Sequence, residues 1–284
     1  MSRRFAILVL GALTLSTVST TITSAGASVR TQRPARIVSL SPTATEMLFA
    51  VGAGKQVVAV DDQSNYPSSV PKTDLSGFQP NVEAIAGYNP DLVVLSDSSA
   101  KSQLETLGID VLVLPAAKTL DDSYAQIRKL GKTTGRAAKA KHLVNEIRSE
   151  IANIARGVPK VKKQPTAYYE LDDTYFSADS STFVGRLLKL AGFANIADGA
   201  KSDGSGYPQL SAEAVVNANP DVIFLADSKC CGQDAKTIGG RPGFADVKAV
   251  KEGNVVVLNE DIAQRWGPRV VNLLRTLVKE RKSQ

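Results

Sequence analysis

Short apolar runs rich in β-branched residues recur along the chain, at 36–40, 56–60, 91–95, 110–114, 166–171, 221–225 and 254–258. Unbroken stretches such as Leu92-Val93-Val94-Leu95 suit strands covered on both faces, as in parallel sheets. Helical stretches separate the runs, and strands that alternate with helices build an α/β architecture. Between the fourth and fifth runs, Ala137, Ala140, Leu143, Val144, Ile147, Ile151 and Ile154 fall at helical spacing. Gly135 precedes this stretch and Pro159 follows it, so the pattern predicts one long rigid α-helix over 135–158, about 30 Å in length. The expected fold is α/β: two Rossmann-like lobes with mainly parallel sheets, an N-terminal lobe at 28–134 and a C-terminal lobe at 159–284, joined by that helix. A flexible Gly/Ser hinge is absent at the junction, so movement between the lobes is expected to be small.

The two lobes read as copies of one unit. Residues 81–98 (NVEAIAGYNPDLVVLSDS) align without gaps onto 211–228 (SAEAVVNANPDVIFLADS). Glu83 matches Glu213, Asn89-Pro90-Asp91 matches Asn219-Pro220-Asp221, and Asp97-Ser98 matches Asp227-Ser228. Upstream, Ser76-Gly77-Phe78 echoes Ser205-Gly206-Tyr207. Each unit predicts a loop carrying an aromatic, a short helix opening at Asn81 or Ser211, an Asn-Pro stop and a buried strand.

The extreme N-terminus departs from this pattern. Arg3 and Arg4 precede an apolar run from Phe5 to Val18, followed by small residues with Ala25 and Ala27 at A-x-A spacing. This predicts a secretory signal peptide over 1–27, cleaved before Ser28, and an exported protein in the periplasm or another extracytoplasmic space. The apolar run is shorter than the roughly 20 residues of a membrane-spanning helix. No Cys follows it, so a lipoprotein is not expected.

The chain has 284 residues, of which 43% are hydrophobic and 22% charged, which excludes a disordered polymer and a multi-span membrane protein. Lys and Arg number 34 against 28 Asp and Glu, a formal net charge of +6. The excess is spread out, with one cluster at Lys160, Lys162 and Lys163 and no interleaved aromatics, so no nucleic-acid surface is expected. The sole His, His142, falls on the connecting helix, which leaves triads and His-based zinc sites hard to build. Gly131-Lys132-Thr133 resembles the end of a phosphate loop, but Gln126 stands where its first Gly belongs and no strand feeds it; it reads as a helix terminus. No metal site and no intrinsic cofactor are expected.

In parallel α/β sheets ligands collect beyond the carboxyl ends of the strands. The side chains placed there include Ser41 and Thr43, Gln63 and Tyr66, the 96–99 loop, Tyr175 and Phe176, Lys229, and the segment 261–266 with Asp261, Arg265 and Trp266. Phe78 and Tyr207 add one loop aromatic per lobe, suited to a large, partly apolar ligand. Trp266, the one Trp of the chain, either contacts a ligand or caps the C-terminal lobe. Cys230 and Cys231 are adjacent in an exported chain, which leaves three states: a vicinal disulfide, two free thiols or soft metal ligands. Glu83 and Glu213 sit at equivalent helix starts, where they either complement the helix dipoles or act as two acidic pegs for a pseudo-symmetric partner.

Several of these motifs together resemble one family. Arg36-Ile37-Val38-Ser39-Leu40-Ser41-Pro42 with Thr45-Glu46, then Asn65-Tyr66-Pro67, Gly77-Phe78, Asn81-Val82-Glu83, Asn89-Pro90-Asp91-Leu92 and the segment 265–269 are similar to the helical-backbone substrate-binding proteins of ABC importers. That family takes up vitamin B12, ferric siderophores and haem. The resemblance runs over 34–279 and implies two α/β lobes, a rigid connecting helix, limited closure, and a monomer that docks on a membrane permease dimer with its ATPase. Docking by one Glu per lobe would fall on Glu83 and Glu213. Within the family the chain is most similar to the cobalamin-binding branch, with Phe78, Tyr207, Phe176 and the 261–266 loop mapping to the positions that flank the corrin ring. It departs from that branch at Gln63, where an aromatic is frequent, and at Phe78 and Tyr207, where Trp is. The resemblance implies a binding protein with no catalytic residue and cobalamin as transported ligand; a ferric hydroxamate siderophore ranks second and haem third. A rival of another class is an extracytoplasmic thiol-dependent enzyme acting on metal chelates through Cys230 and Cys231.

Overall fold

The computed structural model describes residues 33–201 and 203–284; the expected signal peptide at 1–27 lies outside the described residues. Each predicted apolar run becomes a strand. The first sheet holds β1 (Ile37–Leu40), β2 (Val57–Val60), β3 (Leu92–Leu95) and β4 (Asp110–Val113) in the order β2-β1-β3-β4. The second holds β5 (Thr166–Glu170), β6 (Ala194–Asn195), β7 (Val222–Leu225) and β8 (Val255–Val257) in the order β6-β5-β7-β8. All strand pairings are parallel. β6 is not among the predicted runs, because two residues cannot make an apolar run.

In the first half the strands alternate with α1 (Pro42–Ala50), α2 (Val82–Ala86), α3 (Lys101–Thr106) and α4 (Leu120–Thr133). α5 (Ala137–Arg156) follows as a helix of 20 residues between the two sheets. The second half carries α6 (Phe183–Leu190), α7 (Ala212–Ala218), α8 (Ser228–Cys231), α9 (Ala235–Gly239), α10 (Lys248–Lys251), α11 (Glu260–Ala263) and α12 (Val270–Lys282). Both sheets change direction of strand order at their centre, between β1 and β3 and between β5 and β7, so a crevice forms at the carboxyl ends of those strands.

The duplication seen in the sequence is also physical. Asn81 Oδ1 and Ser211 Oγ each cap a short helix by accepting an N–H three residues on, both at 3.0 Å. Asn89 and Asn219 both adopt left-handed backbone, with φ of 46° and 45°, where Asn is better tolerated than most residues. Asp91 Oδ2 then accepts the N–H groups of Ala35 and Arg36 (2.7 and 2.8 Å), and Asp221 Oδ2 accepts that of Thr166 (2.7 Å). In each half an aspartate thus ties the start of one central strand to the start of the next.

Alternate residues of each strand point to opposite faces. Val38, Leu40, Val93 and Leu95 pack outward against α2 and α3 through Ile85 and Leu104. Tyr168, Ile223 and Leu225 do the same in the second half, against Val215, Ile238 and Phe244. The inward faces join one continuous buried cluster that runs from Ile37, Val94 and Leu130 through Val144, Ile147 and Ile151 of α5 to Tyr169, Phe224 and Leu274. α5 packs on α4 and α12. Gly131, in the last turn of α4, allows this approach, because a Cβ there would collide with Ala140.

Candidate ligand-binding cleft

The loops beyond the carboxyl ends of both sheets line a cleft of about 530 Å³, within the ~300–1,000 Å³ usual for small-molecule sites. Its wall includes Ser41, Gln63 and Phe78 from the first half and Lys229, Asp261, Arg265 and Trp266 from the second, seven of the side chains singled out from the sequence. Phe78 is 88% exposed, and its N–H donates to Ser76 Oγ at 3.2 Å. Tyr207 is held by the same device, donating its N–H to Ser205 Oγ at 3.1 Å.

Three expected ligand residues lie elsewhere. Tyr66 lines a separate cavity with Phe49, Glu146 and Arg269, and the Arg269 guanidinium stacks 4.2 Å over its ring. Phe176 and Tyr207 are partly exposed and do not line the cleft. At 175–176 the cause is local: Tyr175 has φ of 69° and turns inward onto Phe244 and Arg241, and Phe176 pairs with Gln209 in an isolated antiparallel bridge.

Arg265 lines the cleft but is held by partners from both halves. It is buried, and its guanidinium donates to Glu46 Oε1 and Asn65 Oδ1 through Nη1 (both 2.9 Å) and to the Gln63 carbonyl and Asp261 Oδ1 through Nη2 (2.9 and 3.0 Å). Arg269 closes on both oxygens of the same Glu46 carboxylate. Glu46, its side chain 1% exposed, lies in α1 of the first half, so a buried ion-pair network bolts the halves together behind the cleft. Lys229 is engaged as well, 3.2 Å from Asp261 Oδ1. Burial pushes the Asp261 carboxyl up, but the Asn65 amide and the Arg265 and Lys229 charges outweigh it and hold the group below the usual carboxylate range. Trp266 borders the cleft, and its Nε1–H donates to Gln126 Oε1 of α4 at 2.9 Å, a bond that reaches the first half of the chain.

Cys230 and Cys231 are joined as a vicinal disulfide on α8, with Cys230 on the cleft wall. Glu260 Oε2 accepts the N–H groups of Lys229 and Cys230 (2.8 and 3.1 Å) and so fixes this turn. Asp227, directly before α8, is buried next to Glu170, and neither of its oxygens receives a donor. Burial and then the Glu170 charge push its carboxyl up to about 7, although Arg241 binds Glu170 in a two-pronged pair at 2.7 and 2.8 Å. Glu83 and Glu213 stand exposed in the first turns of α2 and α7. His142 is exposed on α5 beside Glu146. Among the described residues no group of three or more His, Cys, Asp or Glu is arranged to hold a metal, and no helix is long and apolar enough to cross a membrane.

Sequence reasoning missed Glu46, Asn65, Asp61 and Glu260 as site residues. Glu46 and Asn65 stood within family-like motifs, but nothing local indicated that both would meet Arg265. A periplasmic binding protein family model matches residues 37–262. The chain belongs to that family. A cobalamin-binding protein of Halobacterium salinarum is 33% identical over 248 residues, covering 84% of this chain and 67% of that one. An ABC transporter substrate-binding lipoprotein of Bacillus subtilis is 32% identical over 251 residues, 84% of this chain and 77% of its own length. Among solved structures, a periplasmic haem-binding protein from Roseiflexus sp. superposes with a TM-score of 0.73 at 25% identity, covering 87% of this chain and 98% of that one. A periplasmic vitamin B12-binding protein of Vibrio cholerae superposes at 0.70 with 24% identity, over 88% and 98% of the two chains, which speaks for a common fold. Periplasmic binding proteins of this family share the paired parallel sheets described above, and this binding protein is α/β as expected.

Proposed function

We propose that this protein is the extracytoplasmic substrate-binding component of an ABC importer, that it captures cobalamin in the cleft, and that it hands the ligand to a permease dimer served by an ATPase. The observation that carries the choice of ligand is the state of the cleft cations. Arg265 donates to Glu46, Asn65, Gln63 and Asp261, and Lys229 faces Asp261, so the charge of each is already opposed by a carboxylate. Haem propionates or a catecholate siderophore would bring negative charge with no unpaired cation to receive it. Tyr66 and Tyr207, the axial ligands haem could have used, do not line the cleft. Phe78 and Trp266 instead offer aromatic surface to a large, weakly charged complex. The name of the H. salinarum relative supports the same reading. A ferric hydroxamate, also weakly charged, is the second reading.

Trp266 provides the test, by fluorescence titration of the mature protein with cyanocobalamin, a ferric hydroxamate and haemin, corrected for inner-filter loss and repeated by calorimetry. Saturation by cyanocobalamin alone is expected; saturation by haemin alone refutes the ligand. We further propose that Glu83 and Glu213 are the permease-docking pair. Replacing both by Ala abolishes uptake and leaves ligand binding unchanged; loss of binding would refute the docking role.

A further inference from the structure

Gly77 lies on the loop between β2 and α2 and lines the cleft together with Leu40 and Asp61. A Cβ at Gly77 would sit 3.0 Å from the Leu40 carbonyl oxygen and 3.5 Å from Asp61 Oδ2. Because only a hydrogen occupies that place, both oxygens border one small opening in the cleft wall. Asp61 is 2% exposed, and among the described residues no Lys or Arg pairs with it. Its Oδ1 accepts the Gln63 N–H at 2.9 Å. Its Oδ2 lies 3.3 Å from the Ser64 hydroxyl, the Ser64 N–H also faces the carboxyl, and that hydroxyl is 2.9 Å from Thr45 Oγ1. Either hydroxyl can donate in the Ser64–Thr45 contact, and an ionised carboxylate has room for about four donors. The carboxylate thus keeps room for a further donor on the side that Gly77 leaves open.

We propose that the Leu40 carbonyl and Asp61 Oδ2 form a two-acceptor site that receives the NH2 group of a primary amide on the ligand, with Gly77 as its aperture. A primary amide brings two donors to two acceptors; a carboxylate in the same place brings lone pairs and like charge. Asp61 and Gly77 are then specificity-determining residues, and the site selects corrinoids by their peripheral amides. This assignment deepens the cobalamin reading and rests on it for the ligand class. Burial, against the Gln63 and Ser64 hydrogen bonds, pushes the Asp61 carboxyl up to about 6, so it is an acceptor above that pH and gains an O–H below it. The other charged groups nearby are Asp62 beside it and Lys229, Glu260, Asp261 and Arg265 on the second half of the cleft, the last four already partnered.

Calorimetry on the mature protein tests this with cyanocobalamin and the three monocarboxylic acids made by hydrolysing one peripheral amide at a time. At pH 8 the protein is expected to bind at least one monoacid about tenfold or more weakly than the parent. At pH 5 this gap narrows. D61N abolishes the pH dependence and the discrimination. G77A, whose methyl fills the aperture, weakens the parent and leaves the monoacid that lacks the recognised amide nearly unaffected. Thermal melts of both variants confirm that they fold. If the parent binds and both variants retain wild-type selectivity, the two-acceptor site is wrong while the cobalamin reading stands; if no corrinoid binds, both are overturned.

Discussion

Replacing Glu46 by Gln probes how the two halves are held. The Glu46 side chain is 1% exposed and receives Arg265 and Arg269, themselves 9% and 16% exposed. Gln keeps the shape but removes the charge, and its NH2 group faces donors where an acceptor stood. Two largely buried guanidinium groups then lose their shared counter-ion, although Asp261 still partners Arg265. Removing one member of a buried pair costs about 3–5 kcal/mol, chiefly through the charge left behind. For a domain of this size about 3 kcal/mol lowers Tm by roughly 6–12 °C. Thermal unfolding followed by circular dichroism is the assay, at low and high salt, because a buried network is screened little and the loss should persist in both. A control variant replacing Glu46, Arg265 and Arg269 together by Met should recover most of the loss. A Tm for E46Q within about 2 °C of the parent, or a triple variant less stable than E46Q, would refute the view that Glu46 neutralises two buried cations.

Trp266→Phe removes the Nε1–Gln126 bond and should cost about 1 kcal/mol in urea denaturation with unchanged m, since one half-buried acceptor loses its donor. Asp61→Asn should stabilise the protein at pH 8 and not at pH 4. The folded carboxyl, at about 6 against an ordinary value of 3.8, binds more protons than the unfolded one between those values, so wild-type stability rises as pH falls through this window and the ionised form is the costly one. Asp227→Asn should act in the same direction at higher pH, around 7; a variant no more stable than the parent at pH 8.5 would show that Asp227 is well solvated. Gly185→Ala should fold poorly or not at all, because its Cβ would run into the Asp179 carbonyl at the start of α6; soluble yield and near-ultraviolet dichroism read this out.

Which parts were legible follows from the range of the forces. Strands such as Leu92–Leu95 are buried on both faces, so they appear as unbroken apolar runs, and α5 shows its buried stripe at helical period. The Asn-Pro-Asp repeat is visible because each of its residues serves the backbone: Asn takes the left-handed turn, Pro stops the helix, and Asp ties the strands. Side-chain networks closed over long sequence distance did not show. Arg265 reads as a loop cation until Glu46 and Asn65, some 200 positions away, fall onto it. Identical local sequence also met different surroundings: Asp97 is exposed, whereas its counterpart Asp227 is buried against Glu170. Phe176 stays partly exposed because one left-handed residue, Tyr175, decides which aromatic of the pair turns inward.

The continuous core has a consequence for cooperativity. The sheets are separate in hydrogen bonding, but the inner faces of both, with α4, α5 and α12, share one apolar interior. Neither half, expressed without the other, could cover the surface it contributes to that interior, so the chain should melt in one transition. The exposed segment around Lys160, Lys162 and Lys163 offers a protease an easy cut, and a chain nicked there should stay assembled until it is denatured. The chain repeats one module twice, and the shared interior makes each copy obligatory for the other.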